Sequence, residues 1–211
     1  MAAIFQNRIE AGRRLADAMG RFSDDNTVVL GLPRGGVPVA RQVAEVIGSP
    51  LDVLAVRKLG GPRHPEFAVG AIGESGVRLV DDSAVRATRL GEVELEVVEE
   101  DARVELARRL TLYRGGRPAL DLAGKRAVIV DDGVATGASA TVACRVARRL
   151  GAGEIVLAVP VAPHGWERTL RDEADVLVAV ATPRDFWAVG RWYADFEQTT
   201  DDEVIEALRG F

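Results

Sequence analysis

Residues 127–139, AVIVDDGVATGAS, begin as an apolar run, pass through two adjacent carboxylates and end in a turn of small residues carrying the hydroxyls of Thr136 and Ser139. Ala127, Val128, Ile129 and Val130 suit a strand covered on both faces, which places Asp131 and Asp132 at its carboxyl end. Ala138 to Leu150 then reads as a helix. Val142, Ala143, Val146, Ala147 and Leu150 form one apolar stripe, Arg145, Arg148 and Arg149 face water, and Gly151 closes it. A helix amino terminus leaves backbone N–H groups unpaired and carries the positive end of the dipole, so the loop Val134, Ala135, Thr136, Gly137, Ala138 and Ser139 predicts a phosphate site. Gly133 and Gly137 let the backbone curl towards a ligand, the hydroxyls of Thr136 and Ser139 can donate to it, and the carboxylates can accept from sugar hydroxyls. The loop holds no lysine, unlike a Walker P-loop, and its acidic pair and glycine spacing differ from the Rossmann fingerprint.

Outward from this stretch, strands and helices alternate. Thr27 to Leu32 is a strand, Pro38 to Ile47 a helix with proline in its first turn, and Leu51 to Val56 the next strand, which together make a βαβ unit with parallel pairing. Ile155 to Val161 and Val176 to Val180 are further strands, with a short helix from His164 to Asp172 between them. The pattern predicts an α/β fold, a doubly wound and mostly parallel sheet whose ligands bind beyond the carboxyl ends of its strands. Phe5, Ile9, Gly12, Leu15, Ala16 and Met19 fall on one face of a first helix ending at Gly20. Lys58 to Glu66 has no apolar period and reads as a mobile loop. Phe67 to Ile72 and Val77 to Val80 read as a hairpin around Glu74-Ser75-Gly76. Ser83 to Arg114 reads as a helix with Val93, Val97, Val104 and Ala107 on its apolar side.

Two more stretches bear chemistry. GLPRGGVP, residues 31–38, sets Arg34, Gly35 and Gly36 just before a helix amino terminus, which is either a second anion site or a tight turn. ATPRDFWAVGRWYADF, residues 181–196, gathers Phe186, Trp187, Trp192, Tyr193 and Phe196 in a chain with only 5% aromatics; flat rings there suit a flat heterocycle or cap a sheet edge.

The D-D-x-x-x-T-G-x-S string resembles the signature of the type I phosphoribosyltransferases, and the resemblance extends over nearly the whole chain. It implies that Asp131 and Asp132 bind the ribose hydroxyls of phosphoribosyl pyrophosphate (PRPP), and that Val134 to Ser139 bind its 5′-phosphate. It further implies that Pro33-Arg34-Gly35-Gly36 is the pyrophosphate loop, a place where the family often has a non-proline cis peptide. Arg57 and Lys58 resemble the pair opening the family's catalytic loop, in which Arg63 or His64 closes over pyrophosphate; for His64 an exposed loop histidine is the equal alternative. Trp187, or the neighbouring Phe186, takes the base-stacking place, Val189 follows, and Asp195 matches the family's metal-side aspartate with a one-residue offset. Ala135 departs from the acid of hypoxanthine and guanine enzymes and is closer to the adenine and uracil branches. The implied activity is transfer of phosphoribosyl from PRPP, with Mg²⁺, to a purine, a pyrimidine or another amine, as in nucleotide salvage. The alternative is a PRPP-binding regulatory protein without transfer activity. A homodimer is expected, with a core at about 27–180 and a small hood subdomain at about 181–211, to which the 67–80 hairpin can add, in a single domain spanning 1–211.

With 211 residues, 47% apolar, the chain is long enough for one core and an appendage. The net charge of −5 argues against extended contact with nucleic acid or an anionic membrane. Cys144 is the single cysteine, so no internal disulfide or zinc cluster forms. The start, MAAIFQNRIEAGRRL, lacks the apolar core of a signal peptide and no apolar run reaches membrane-span length, so a soluble cytoplasmic protein is expected.

Overall fold

In the computed structural model, which describes residues 3–61 and 64–211, the strand Arg126–Val130 occupies the middle of a five-stranded parallel sheet. The chain runs α1 (Arg8–Met19), β1 (Thr27–Gly31), α2 (Gly36–Ile47), β2 (Leu51–Val53), β3 (Val56–Gly61), β4 (His64–Gly73), β5 (Arg78–Val80), α3 (Asp82–Thr88), α4 (Glu92–Arg114), β6 (Arg126–Val130), α5 (Ala138–Arg149), β7 (Glu154–Val161), α6 (Glu167–Leu170), β8 (Val176–Ala181) and α7 (Asp201–Leu208). The main sheet has the order β2-β1-β6-β7-β8, and β3-β4-β5 form a separate antiparallel sheet.

Strand period two divides the core. Ala127 and Ile129 of β6 turn towards α5, packing with Val142, Ala143, Val146 and Ala147. Val128 and Val130 turn to the opposite layer, with Leu15 and Met19 of α1, Val37 and Val43 of α2 and Val204 of α7. The two-sided apolar run was therefore a sound strand signal. The small sheet leans on the α5 side: a Cβ at Gly73 would lie 2.2 Å from Val146 Cγ2, so only glycine lets β4 approach so closely. Among the described residues, no helix is long and apolar enough to cross a membrane.

Three sequence expectations are corrected. The stretch expected as a loop over 58–66 is strand over its described parts, β3 to Gly61 and β4 from His64. Antiparallel pairing satisfies backbone groups whatever the side-chain pattern, and the register shifts at Leu59/Gly60 and Gly60/Gly61 record its irregular composition. The helix expected over 83–114 is two helices, separated where Arg89 turns left-handed (φ 54°) ahead of Gly91. Its buried face also differs: Ala102, Leu106 and Tyr113 face inward, with Leu95 and Val98 in the same cluster as Ala102, while Val93, Val97 and Val104 are 73, 56 and 62% exposed. Of the two apolar stripes on α4, the one with the larger side chains is buried.

Between the sheets sits a buried ionic junction. Arg114, at the end of α4, donates from Nε to Asp52 Oδ2 at 3.1 Å, from Nη1 to Glu74 Oε2 at 3.0 Å and from Nη2 to the Val53 carbonyl at 2.9 Å. Asp52 also accepts from Leu120 N, and Glu74 from Ala55 N, so both carboxylates are satisfied. Strands β2 and β4 and helix α4 are tied at this point.

Candidate active site

Two strand-to-helix turns meet at the carboxyl edge of the main sheet. After β1, residues 32–35 lead into α2; after β6, residues 131–137 lead into α5. The turns are held together by Leu32 N donating to Val130 O at 2.9 Å. The Pro33–Arg34 peptide, which the sequence left open, is cis. Glycine is required where the turns touch: a Cβ on Gly35 would lie 2.0 Å from Asp132 Oδ2, and one on Gly36 2.7 Å from Val130 O.

The loop after β6 curls as its glycines suggested. Gly137 is left-handed (φ 82°) and caps α5, whose first described backbone bond runs from Thr141 N to Gly137 O. Neither Thr136 nor Ser139 spends its hydroxyl on a described neighbour, which leaves both for a ligand. Asp131, Asp132, the loop 133–140, Lys58 and Val189 together line a cavity of about 220 Å³. A larger cavity, about 340 Å³, lies between α4 and α7 and is lined by none of the expected site residues.

The acidic pair is electrostatically loaded. Burial, then the adjacent Asp132 carboxylate, push the Asp131 carboxyl well above its ordinary value, against the pull of Lys58 and Arg8. Burial also raises Asp132, opposed by Arg8, whose Nε donates to Asp132 Oδ2 at 2.9 Å. The Tyr193 hydroxyl donates to the Asp132 carbonyl at 2.5 Å, and burial drives that phenol's pKa upward.

The remaining expected residues are placed as follows. Lys58 is exposed and borders the cavity. Arg57 turns to Glu105 of α4 at 3.9 Å, and Arg34 to Asp201 of α7 at 3.8 Å. Asp201 also accepts from the Tyr113 hydroxyl at 2.6 Å; burial, then that bond, push Tyr113 up to about 12. Arg63 lies outside the described residues, as does the side chain of His64. Phe186 stacks on Trp192 at 6.2 Å between ring centroids, whereas Trp187 is 80% exposed. Val189 reaches the cavity because Gly133 has no side chain; a Cβ there would lie 2.6 Å from Val189 Cγ1. Asp195 is exposed, and its Oδ1 accepts from Glu197 N. Among the described residues no three His, Cys, Asp or Glu side chains gather as a metal cage. A Mg²⁺ held mainly by substrate phosphates would need only one or two carboxylates from the protein; Asp195 is exposed but lines a separate cavity of about 320 Å³ with Arg8, Glu197 and Thr200.

Sequence reading assigned no role to Arg8 and placed Tyr193 only in the aromatic cluster of 181–196, not against Asp132. Arg8 carried one signal: it is the first residue of α1, where a cation opposes the helix dipole and needs an outside partner.

A parallel sheet ending in an acidic pair and a glycine-flanked turn into a helix is the architecture of the type I phosphoribosyltransferases. The model of the phosphoribosyl transferase domain matches residues 3–195, and this chain belongs to that family. Over 205 residues, 97% of this chain, it is 51% identical to a Mycobacterium tuberculosis H37Rv protein provisionally named a phosphoribosyl transferase. The chain spans about half the length of such curated relatives, 46%. The crystal structure of TT1426 from Thermus thermophilus is similar at 43% identity and a TM-score of 0.79, with 97% of each chain covered. The fold is also that of a purine phosphoribosyltransferase from Pyrococcus horikoshii, at 18% identity and a TM-score of 0.51, over 95% of this chain and 98% of that one.

Proposed function

We propose that this chain binds PRPP in the 220 Å³ cavity and transfers its phosphoribosyl group to a nitrogen of a nucleobase or another small amine, releasing pyrophosphate. The observation that supports this most is the convergence, on one cavity, of two carboxylates and a cradle of free hydroxyls at a helix amino terminus. In this reading Asp131 and Asp132 accept from the ribose hydroxyls, and Val134 to Ser139 hold the 5′-phosphate with backbone N–H groups and the Thr136 and Ser139 hydroxyls. Gly35, Gly36 and Arg34 bind pyrophosphate, Arg34 leaving Asp201 to do so. Lys58, which lines the cavity from the small sheet, reaches the leaving group, and Arg57, Arg63 and His64 keep the parts that the family resemblance gives them in the loop closing over pyrophosphate. Asp195 would be the protein ligand of a Mg²⁺ bound with PRPP, which would supply positive charge to the leaving pyrophosphate. The protein positions the partners, places negative charge near the ribose as positive charge develops at its C1, and excludes water. Val189 and the exposed Trp187 offer apolar and aromatic surface to the acceptor, with Phe186 behind them. The exposed valines Val93, Val97 and Val104 of α4 supply apolar surface for the homodimer we also propose, which size-exclusion with light scattering tests.

Pyrophosphate release from PRPP and Mg²⁺ against a panel of purines, pyrimidines and amines tests the reading. Release with one acceptor supports it. PRPP binding without release for any acceptor would make the chain a PRPP-binding protein without transfer, and no PRPP binding would overturn the proposal.

A further inference from the structure

Asp132 is held from two sides by residues distant in sequence. Its carbonyl receives the Tyr193 hydroxyl at 2.5 Å, and its Oδ2 receives Arg8 Nε at 2.9 Å. Arg8 is itself fixed: Nη1 donates to the Glu197 carbonyl at 2.7 Å, and the guanidinium lies 4.0 Å from the centroid of the Phe196 ring. Both partners of the ion pair are largely covered, with side-chain exposures of 13 and 16%. The pair also rests on the other turn. The Cβ position of Gly35 is 2.0 Å from Asp132 Oδ2 and 3.0 Å from Arg8 Nε. The 32–35 turn, the 131–137 turn, α1 and the 196–197 segment therefore share one guanidinium.

We infer that Arg8 is a positioning residue for PRPP, anchoring Asp132 through Oδ2 so that Oδ1 is presented to the ribose hydroxyls. Asp132 Oδ1 has no hydrogen-bond partner among the described residues, which leaves it available for that role. Asp131 is differently held, its Oδ1 accepting from Asp132 N at 2.9 Å, so the two carboxylates are oriented by separate devices. Arginine suits the place because its planar fork serves Asp132 and Glu197 at once while its face meets Phe196; an ammonium group has neither the plane nor the fixed fork. The inference rests on the PRPP reading above and adds a residue outside both ligand-binding turns.

The test is calorimetric titration of PRPP with Mg²⁺ into wild type, R8K, R8M, D132N and the R8M/D132N double variant, with the Tm of each recorded. R8M is expected to weaken PRPP binding about 10- to 100-fold, the worth of a hydrogen bond to a charged group, and R8K to recover only part of this. Placed on D132N, R8M is expected to cost less than about twofold more, because its effect passes through Asp132. A fall in Tm with unchanged PRPP affinity would reduce Arg8 to a structural tie and overturn the inference. So would full additivity with D132N, which would mean that Arg8 touches PRPP directly. Should R8M not fold, R8Q and R8K carry the same cycle. Absence of PRPP binding by wild type is a different failure: it removes the proposed function, and this inference with it.

Discussion

Asp131 stands in an unfavourable place for a carboxylate, covered by protein and next to a second negative charge. Because its folded pKa is raised above the unfolded value of about 3.9, ionising it costs folding free energy. The cost is absent below about pH 4, grows as pH rises towards the folded value and is complete above it. Asp131→Asn should therefore raise Tm at neutral pH, with the gain disappearing on acidification, while PRPP affinity falls by about 10- to 100-fold; thermal melts across pH 4–8 and a PRPP titration check both halves. Gly35→Ala is expected to fail differently. Its methyl group would sit 2.0 Å from Asp132 Oδ2, so the carboxylate must move, and PRPP binding should be lost in the same titration. The acidic pair and its loop were legible because 131–139 is contiguous and each residue type has a local reason. Arg8 was not: its partner is 124 positions away, and no local pattern announces that pairing.

At the scale of elements, the strand and helix alternation was readable from apolar period, since β1, β6, β7 and β8 are each built on a short apolar run. The errors fell where tertiary pairing outweighs composition, in β3 and the start of β4, and in the choice between two apolar stripes on α4. The Arg114 junction was equally hidden, joining Asp52 and Glu74 from separate sheets. Replacing Arg114 with leucine would strand two buried carboxylates and should cost about 3–5 kcal/mol, lowering Tm by roughly 10 °C; differential scanning calorimetry reads it directly. Trp187 makes the opposite case. It is exposed, so Trp187→Ala should change stability by less than about 0.5 kcal/mol, yet raise the acceptor KM about 3- to 10-fold through the lost stacking.

For the whole molecule, the parts that form the site come from both ends of the described chain. Phe5 pairs with Tyr193 as an isolated bridge, and Ala194 and Asp195 donate backbone bonds to Phe5 and Gln6. The sequence showed an aromatic cluster at 181–196 but set Phe5 on the face of the first helix; that helix begins only at Arg8, and Phe5 joins the cluster instead. A ligand that bridges these parts stabilises them together: PRPP with Mg²⁺ at a hundred times its Kd should add about 2.7 kcal/mol, seen as a rise in Tm that grows with ligand concentration. The ionic junction at Arg114 has a mechanical consequence. It pins the base of the three-stranded sheet, where Glu74 follows β4, while the ladder between β3 and β4 slips register at Leu59, Gly60 and Gly61, far from that anchor. Like a leaf fixed at its stalk, this sheet is held at its root, and Lys58, paired with Ala71 two steps from the anchored Val56–Gly73 pair and short of the slip, keeps its place beside the cavity.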